Sequence, residues 1–154
     1  MNMRIGSGLL VLILSTQVHG NDIEFIQDLD FGDIVVVDNS SPGTISLTYL
    51  GQLSVSNHFR IISPSQIGQV LLSNYPVNAE LFVDAFVLQP NSSSVNVSPE
   101  QFQLTSISHP ASVRTRVDGT AVINLGGTIQ TSGSGSLAYS DTDYSISIQI
   151  QVQY

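Results

Sequence analysis

Residues 144–154 read Y-S-I-S-I-Q-I-Q-V-Q-Y, which sets Ile146, Ile148, Ile150, Val152 and Tyr154 against Ser145, Ser147, Gln149, Gln151 and Gln153. Successive side chains of a strand point to opposite faces. Strict alternation with β-branched residues on the apolar side therefore predicts a strand buried on one face and paired along its edges. The same period opens the region after residue 20, where Ile23, Phe25, Leu29 and Phe31 alternate with Asp22, Glu24, Asp28 and Asp30, broken only at Ile26 and Gln27. After Gly32 it resumes at residues 34–37. It continues through residues 44–50, with Ile45, Leu47 and Tyr49 on one face, and residues 53–61, with Leu53, Val55, Phe59 and Ile61. Residues 67–72 and 81–88 are denser apolar runs, as expected of central strands in a two-layer core. Phe102, Leu104 and Ile107 mark a further strand.

Turn chemistry separates these segments. Asn39-Ser40-Ser41-Pro42-Gly43 combines a residue of fixed φ with one that tolerates positive φ. Asp118-Gly119, between residues 113–117 and 120–125, predicts a hairpin, because a tight turn that matches strand twist wants positive φ. Gly126-Gly127 and the Ser-Gly run at residues 132–136 read as the last loops. Short strands at intervals of about ten residues, with no helical period, predict a single all-β sandwich. A domain of about 130 residues can bury enough core to stand without staples.

Composition changes that picture in two ways. There is no cysteine, so the core and the backbone ladders must hold the fold alone. There is no lysine, and the formal charge is −8, which argues against nucleic acid or an anionic membrane surface as partner. At the start of the chain, Arg4, the apolar run L-L-V-L-I-L at residues 9–14 and Val18-His19-Gly20 together read as a cleaved signal peptide over residues 1–20. That run is too short for the roughly 20 apolar residues that a membrane-spanning helix needs, and no later segment is longer. The expectation is an exported chain whose mature domain is residues 21–154.

Catalytic and metal chemistry find little footing. No G-x-S-x-G, H-E-x-x-H or phosphate-cradling glycine loop is present, so the reading is not an enzyme and has no cofactor. His58 and His109 lack partners at ligand spacing. Asp28, Asp30, Asp33 and Asp38 do not follow the twelve-residue calcium loop and read as charges that keep a strand soluble. Arg114 and Arg116 read as solvated charges.

Leu29-Asp30-Phe31-Gly32, Pro42-Gly43-Thr44-Ile45-Ser46-Leu47, Asp118-Gly119-Thr120-Ala121-Val122 and Leu125-Gly126-Gly127-Thr128-Ile129, followed by the alternating run from Tyr144 to a terminal Tyr154, form an ordered series. This series resembles a family of bacterial exported β-domains of unassigned function and is similar to the spore-coat-U-like pilins of the archaic chaperone–usher class. The resemblance spans nearly all of the mature chain. It implies an immunoglobulin-like β-sandwich lacking one strand, in which a periplasmic chaperone, delivering to an usher, fills the gap first and the extension of another subunit replaces it. Ile146, Ile148, Ile150, Val152 and Tyr154 would then border the acceptor groove, and Ile23, Phe25, Leu29 and Phe31 would be the donor plugs.

Two departures keep an alternative open. Those relatives carry the donor upstream of a separate first strand, whereas here only residues 21–30 separate the expected cleavage site from Phe31. They also usually tie that strand in with a cysteine. Residues 21–31 are therefore either donor or the domain's own first strand. The function expected is a structural subunit of a surface pilus or fimbria, in transit through the periplasm. The alternative is a self-complete, secreted or surface-attached binding domain for carbohydrate or a host protein.

Overall fold

The computed structural model describes residues 21–94 and 98–154, together with the backbone of Met3–Arg4. The expected signal peptide, residues 1–20, otherwise lies outside the described residues. The strands in chain order are β1 (Met3–Arg4), β2 (Asp22–Gln27), β3 (Asp33–Val36), β4 (Thr44–Leu47), β5 (Leu53–Val55), β6 (Phe59–Ile61) and β7 (Gly68–Ser73). They continue as β8 (Glu80–Val87), β9 (Ser93–Ser94), β10 (Gln103–Ser108), β11 (Ser112–Arg114), β12 (Ala121–Gln130), β13 (Tyr144–Ser145) and β14 (Ile148–Gln153). There is no helix among the described residues, and the fold is an all-β sandwich of antiparallel sheets.

The largest sheet runs β2-β7-β12-β4-β5, with β10 also paired to β12. Its long strand β12 pairs β7 through its first half and both β4 and β10 through its second. A second sheet runs β11-β8-β14, a third β1-β3-β6, and β13 pairs β9. The alternation found in the sequence becomes burial. Val70 and Leu72 of β7, Ile123, Leu125 and Ile129 of β12, Leu81 and Val83 of β8, and Ile148 and Ile150 of β14 share one core. At one end this core is aromatic. The Phe102 ring lies 4.8 Å from Tyr139 and 5.1 Å from Tyr144, the latter edge-on. Offset and edge-on geometry suits the ring quadrupoles, and both phenol groups find partners: Tyr139 Oη accepts from Ser132 N and Tyr144 Oη donates to Ser98 Oγ.

Several sequence expectations change here. Residues 53–61 are two strands, not one, because a turn ending at His58 divides β5 from β6. Gly126-Gly127 is not a loop but the middle of β12. A side chain at Gly126 would run into the Leu47 carbonyl and the Thr48 and Tyr49 backbone, so glycine is what lets β4 and β12 approach. Asp118-Gly119 does form a tight turn: Gly119 has φ +76°, Gly119 N donates to Arg116 O, and Asp118 Oδ1 accepts from Thr120 N. It is not a hairpin, however, since β11 pairs β8 and β12 pairs β7 in different sheets. The terminal alternating run is also interrupted. Its start, β13, pairs β9, and only Ile148–Gln153 pairs β8.

The Ser-Gly run is a loop, and Asn39 holds it. Asn39 is 1% exposed, and its Nδ2 donates to Ser132 Oγ, Ser134 Oγ and Ser136 O while its Oδ1 accepts from Gly133 N. Glu100 accepts from the same two serine hydroxyls. Among the described residues, no buried side-chain nitrogen or oxygen lacks a hydrogen bond.

Candidate functional site

Edge strands carry unpaired backbone groups, which folded proteins blunt with charge, bulges, shortness or cover. Most edges here are blunted. β2 presents Asp22 and Glu24 and has a register shift between Phe25 and Gln27. β5, β6 and β11 have three residues each, and the last two carry Arg60 and Arg114. β10 has a register shift between Leu104 and Ser106, and residues 90–92 cover its start through Leu104 N donating to Pro90 O and Ser92 N to Phe102 O.

β14 differs from all of these. It has six residues, pairs β8 without a register shift, and lies at the end of its sheet with no charged side chain from residue 144 to residue 154. The direction of its free groups follows from the ladder. Leu88 N donates to Ser147 O, so Ser147 is in a hydrogen-bonded row. Antiparallel rows alternate, so Gln149, Gln151 and Gln153 bond to β8, while Ile148, Ile150 and Val152 turn their N–H and C=O away from it. Val83, opposite Val152, accordingly donates its N–H to Ala111 O on the other side. Among the described residues nothing pairs with that outward edge of β14.

The residues expected to border a groove thus divide. Ile148 and Ile150 are 0% and 1% exposed on the inward face of β14, and Val152 is half-buried beside them. Ile146 is buried between β13 and β14. Tyr154 is 63% exposed and stacks edge-on against Tyr75, with ring centroids 5.9 Å apart. The other expected set is brought together elsewhere. Ile23 and Phe25 lie on β2, paired to β7 and packed on the core, and Leu29 and Phe31 are core residues. In this structure, residues 22–31 serve as the domain's own first strand and its anchor.

Sequence reading missed two features. One is the second edge of β3, which is paired by Met3–Arg4. The other is the outer face of the β8 sheet, where Phe82 and Phe86 are exposed opposite Gln153 and Gln149. Residues 81–88 read as a dense apolar run of a central strand, yet their burial alternates, and which apolar face is solvated depends on what covers it.

Among the described residues, no group of three or more His, Asp or Glu is arranged to hold a metal ion. His58 Nε2 lies 3.9 Å from Asp38 Oδ2, and its ring bonds Ser41 and Ser56 in the turn before β6. Asp38 is held below the usual carboxylate range by hydrogen bonds from Ser40, with His58 a smaller contributor. Among the described residues, no helix is long and apolar enough to cross a membrane.

An all-β sandwich with one long, uncharged, one-sided edge strand is therefore the class that the fold and site define. The family whose description matches residues 22–154 is a domain of unknown function, DUF4402, and the chain belongs to it. No curated protein and no solved structure matches the chain.

Proposed function

We propose that the protein is a structural subunit of a bacterial surface pilus or fimbria, assembled by addition of a strand from another chain to β14. The observation that carries this reading is the contrast among edges. Every other edge strand of the β2-β7-β12-β4-β5 and β11-β8-β14 sheets, β10 included, is short, charged, bulged or covered, whereas β14 offers the backbone groups of Ile148, Ile150 and Val152 unguarded. Strand addition uses that arrangement: main-chain hydrogen bonds supply affinity, and alternate side chains reach the core beside Ile148 and Ile150.

The strand order supports an immunoglobulin-like, incomplete sandwich. The pairings β2-β7-β12-β10 in one sheet and β8-β14 in the other correspond to strands A-B-E-D and C-F of that fold, and the place of the seventh strand is the free edge of β14. If residues 1–20 are removed as an export signal, β3 also keeps a single partner, β6. In the assembly pathway a periplasmic chaperone covers the β14 edge, an usher exports the subunit, and related subunits complete it on the cell surface.

Val152→Pro tests the reading. The Val152 N–H points away from β8, so proline removes a free-edge donor while leaving the internal ladder intact. The variant is expected to melt within about 1 kcal/mol of wild type yet fail to enter surface fibres, as judged by immunogold labelling. Fibres containing the variant at wild-type levels would refute the acceptor role.

The outer face of β8 favours a second reading, a binding domain complete in itself. Phe82 and Phe86 stand about 13 Å apart on one strand, from the usual rise per residue, and are flanked by Gln149, Gln151 and Gln153, an apolar-plus-amide surface suited to a carbohydrate. A monomer that binds glycans through this face and loses them on Phe86→Ala, with Val152→Pro neutral, would support that reading instead.

A further inference from the structure

We infer that the strand received by β14 is supplied by a different protein, while residues 22–31 of each copy stay in their own sheet. This rests on the strand-acceptor reading and concerns who the partner is. That segment is firmly held in its own sheet. Beyond the β2–β7 ladder, Gln27 Nε2 donates to Ile67 O, and Asp30 and Gln66 exchange both main-chain bonds at 2.9 and 2.7 Å. Gly32, at φ +77°, donates its N–H to Asp30 Oδ1.

Leu29 then occupies a place that a glycine clears for it. A Cβ on Gly68 would stand 3.1 Å from both the Cβ and the backbone N of Leu29, closer than most such contacts. Withdrawing the segment would strip β7 of one partner and empty the positions of Leu29 and Phe31 in the core. Inserting it into another copy would at best regain what was lost, so exchange has no net driving force.

Charge points the same way. A strand laid on β14 places its outward residues beside Gln149, Gln151 and Gln153, with Asp84 in the next row and Glu80 further along the same face. The nearest cation on that face, Arg114, is on β11, beyond β8, and the chain carries a formal charge of −8. An alternating segment whose outward residues are Asp22, Glu24, Asp28 and Asp30 meets like charge there. The fitting partner alternates apolar residues with neutral or basic ones.

The test uses the exported, processed protein and two synthetic peptides. One is residues 21–32, and the other is the same peptide carrying D22K, E24K and D28K. By fluorescence anisotropy the lysine peptide is expected to bind at least about tenfold more tightly, with binding lost in Val152→Pro; equal or tighter binding of the native peptide would overturn the inference. A second arm locks β2 to β7 with Glu24→Cys and Leu71→Cys, which face each other across the ladder in a chain that has no other cysteine. The oxidised variant is expected to enter fibres as wild type does, whereas a loss of incorporation reversed by reductant would show that β2 is exchanged and overturn the inference. Indifference of both fibre entry and peptide binding to Val152→Pro would instead remove the acceptor reading, and this inference with it.

Discussion

Replacing Asn39 by alanine puts a magnitude on the latch that holds the Ser-Gly loop against the sandwich. The side chain makes hydrogen bonds of 3.0 Å to Ser132 Oγ, 3.3 Å to Ser134 Oγ, 2.6 Å to Ser136 O and 2.9 Å from Gly133 N. The two serine hydroxyls keep Glu100 as acceptor in its absence, so they lose little. The Gly133 N–H and the Ser136 carbonyl lose their side-chain partner outright. Both residues are half-buried, so water relieves part of the loss, and each costs about 1 kcal/mol, near the low end for an orphaned group. Adding the lost packing of a buried amide brings the expected destabilisation to about 2–3 kcal/mol, or roughly 10 °C in melting temperature for a domain of this size. Urea unfolding should show a lower midpoint at unchanged slope, because the surface exposed on unfolding is the same. Amide exchange should accelerate first at residues 133–138. A change below about 0.5 kcal/mol, typical of a neutral surface substitution, would refute the claim that this loop is held by Asn39.

Three further outcomes are expected. Gly126→Ala should cost about 3 kcal/mol or more, read from the urea midpoint, because its Cβ meets the Leu47 carbonyl and the Thr48–Tyr49 backbone; a neutral result would mean that β4 and β12 are further apart. Thr115→Val should cost about 2 kcal/mol and Thr115→Ser little, since the buried hydroxyl donates to Pro76 O and accepts from Ala79 N. Stability should fall as pH rises above the ordinary tyrosine value of 10.0. Burial raises the phenols of Tyr139 and Tyr144 in the folded state, so the unfolded chain loses these protons first. A Tyr139→Phe, Tyr144→Phe double variant should flatten that alkaline limb of the melting curve, and an identical limb would place the cause elsewhere.

The all-β class was readable because period-two alternation is a local property: Ile148 and Ile150 are inward whatever strand lies beside them. Gly126-Gly127 misled for the complementary reason. A glycine pair is the mark of a turn when its neighbours are unknown, and only the approach of Leu47 reveals that here it makes room inside a strand. The Asp118-Gly119 turn was correct in its backbone and wrong in its consequence, since a tight turn constrains its own dihedrals but not whether the flanking strands stay in one sheet. The candidate site was half legible. The uncharged alternating run pointed to β14, but residues 22–31 carry the same alternation and turned out to be packed in their own domain.

By itself the sequence determined the inward face of segments such as Ile45 and Leu47 or Ile148 and Ile150, the tight turn at Asp118-Gly119, and that no disulfide could staple the fold. These follow from covalent chemistry and from a periodicity that needs no partner to express itself. Tertiary structure alone decided which strands are neighbours, and therefore which edge stays open. Every residue but proline offers the same backbone donor and acceptor, so an open edge leaves almost no signature in the sequence. Whether the amides of Ile148, Ile150 and Val152 are satisfied depends on what the fold lays beside them, and among the described residues it lays a strand on only one side.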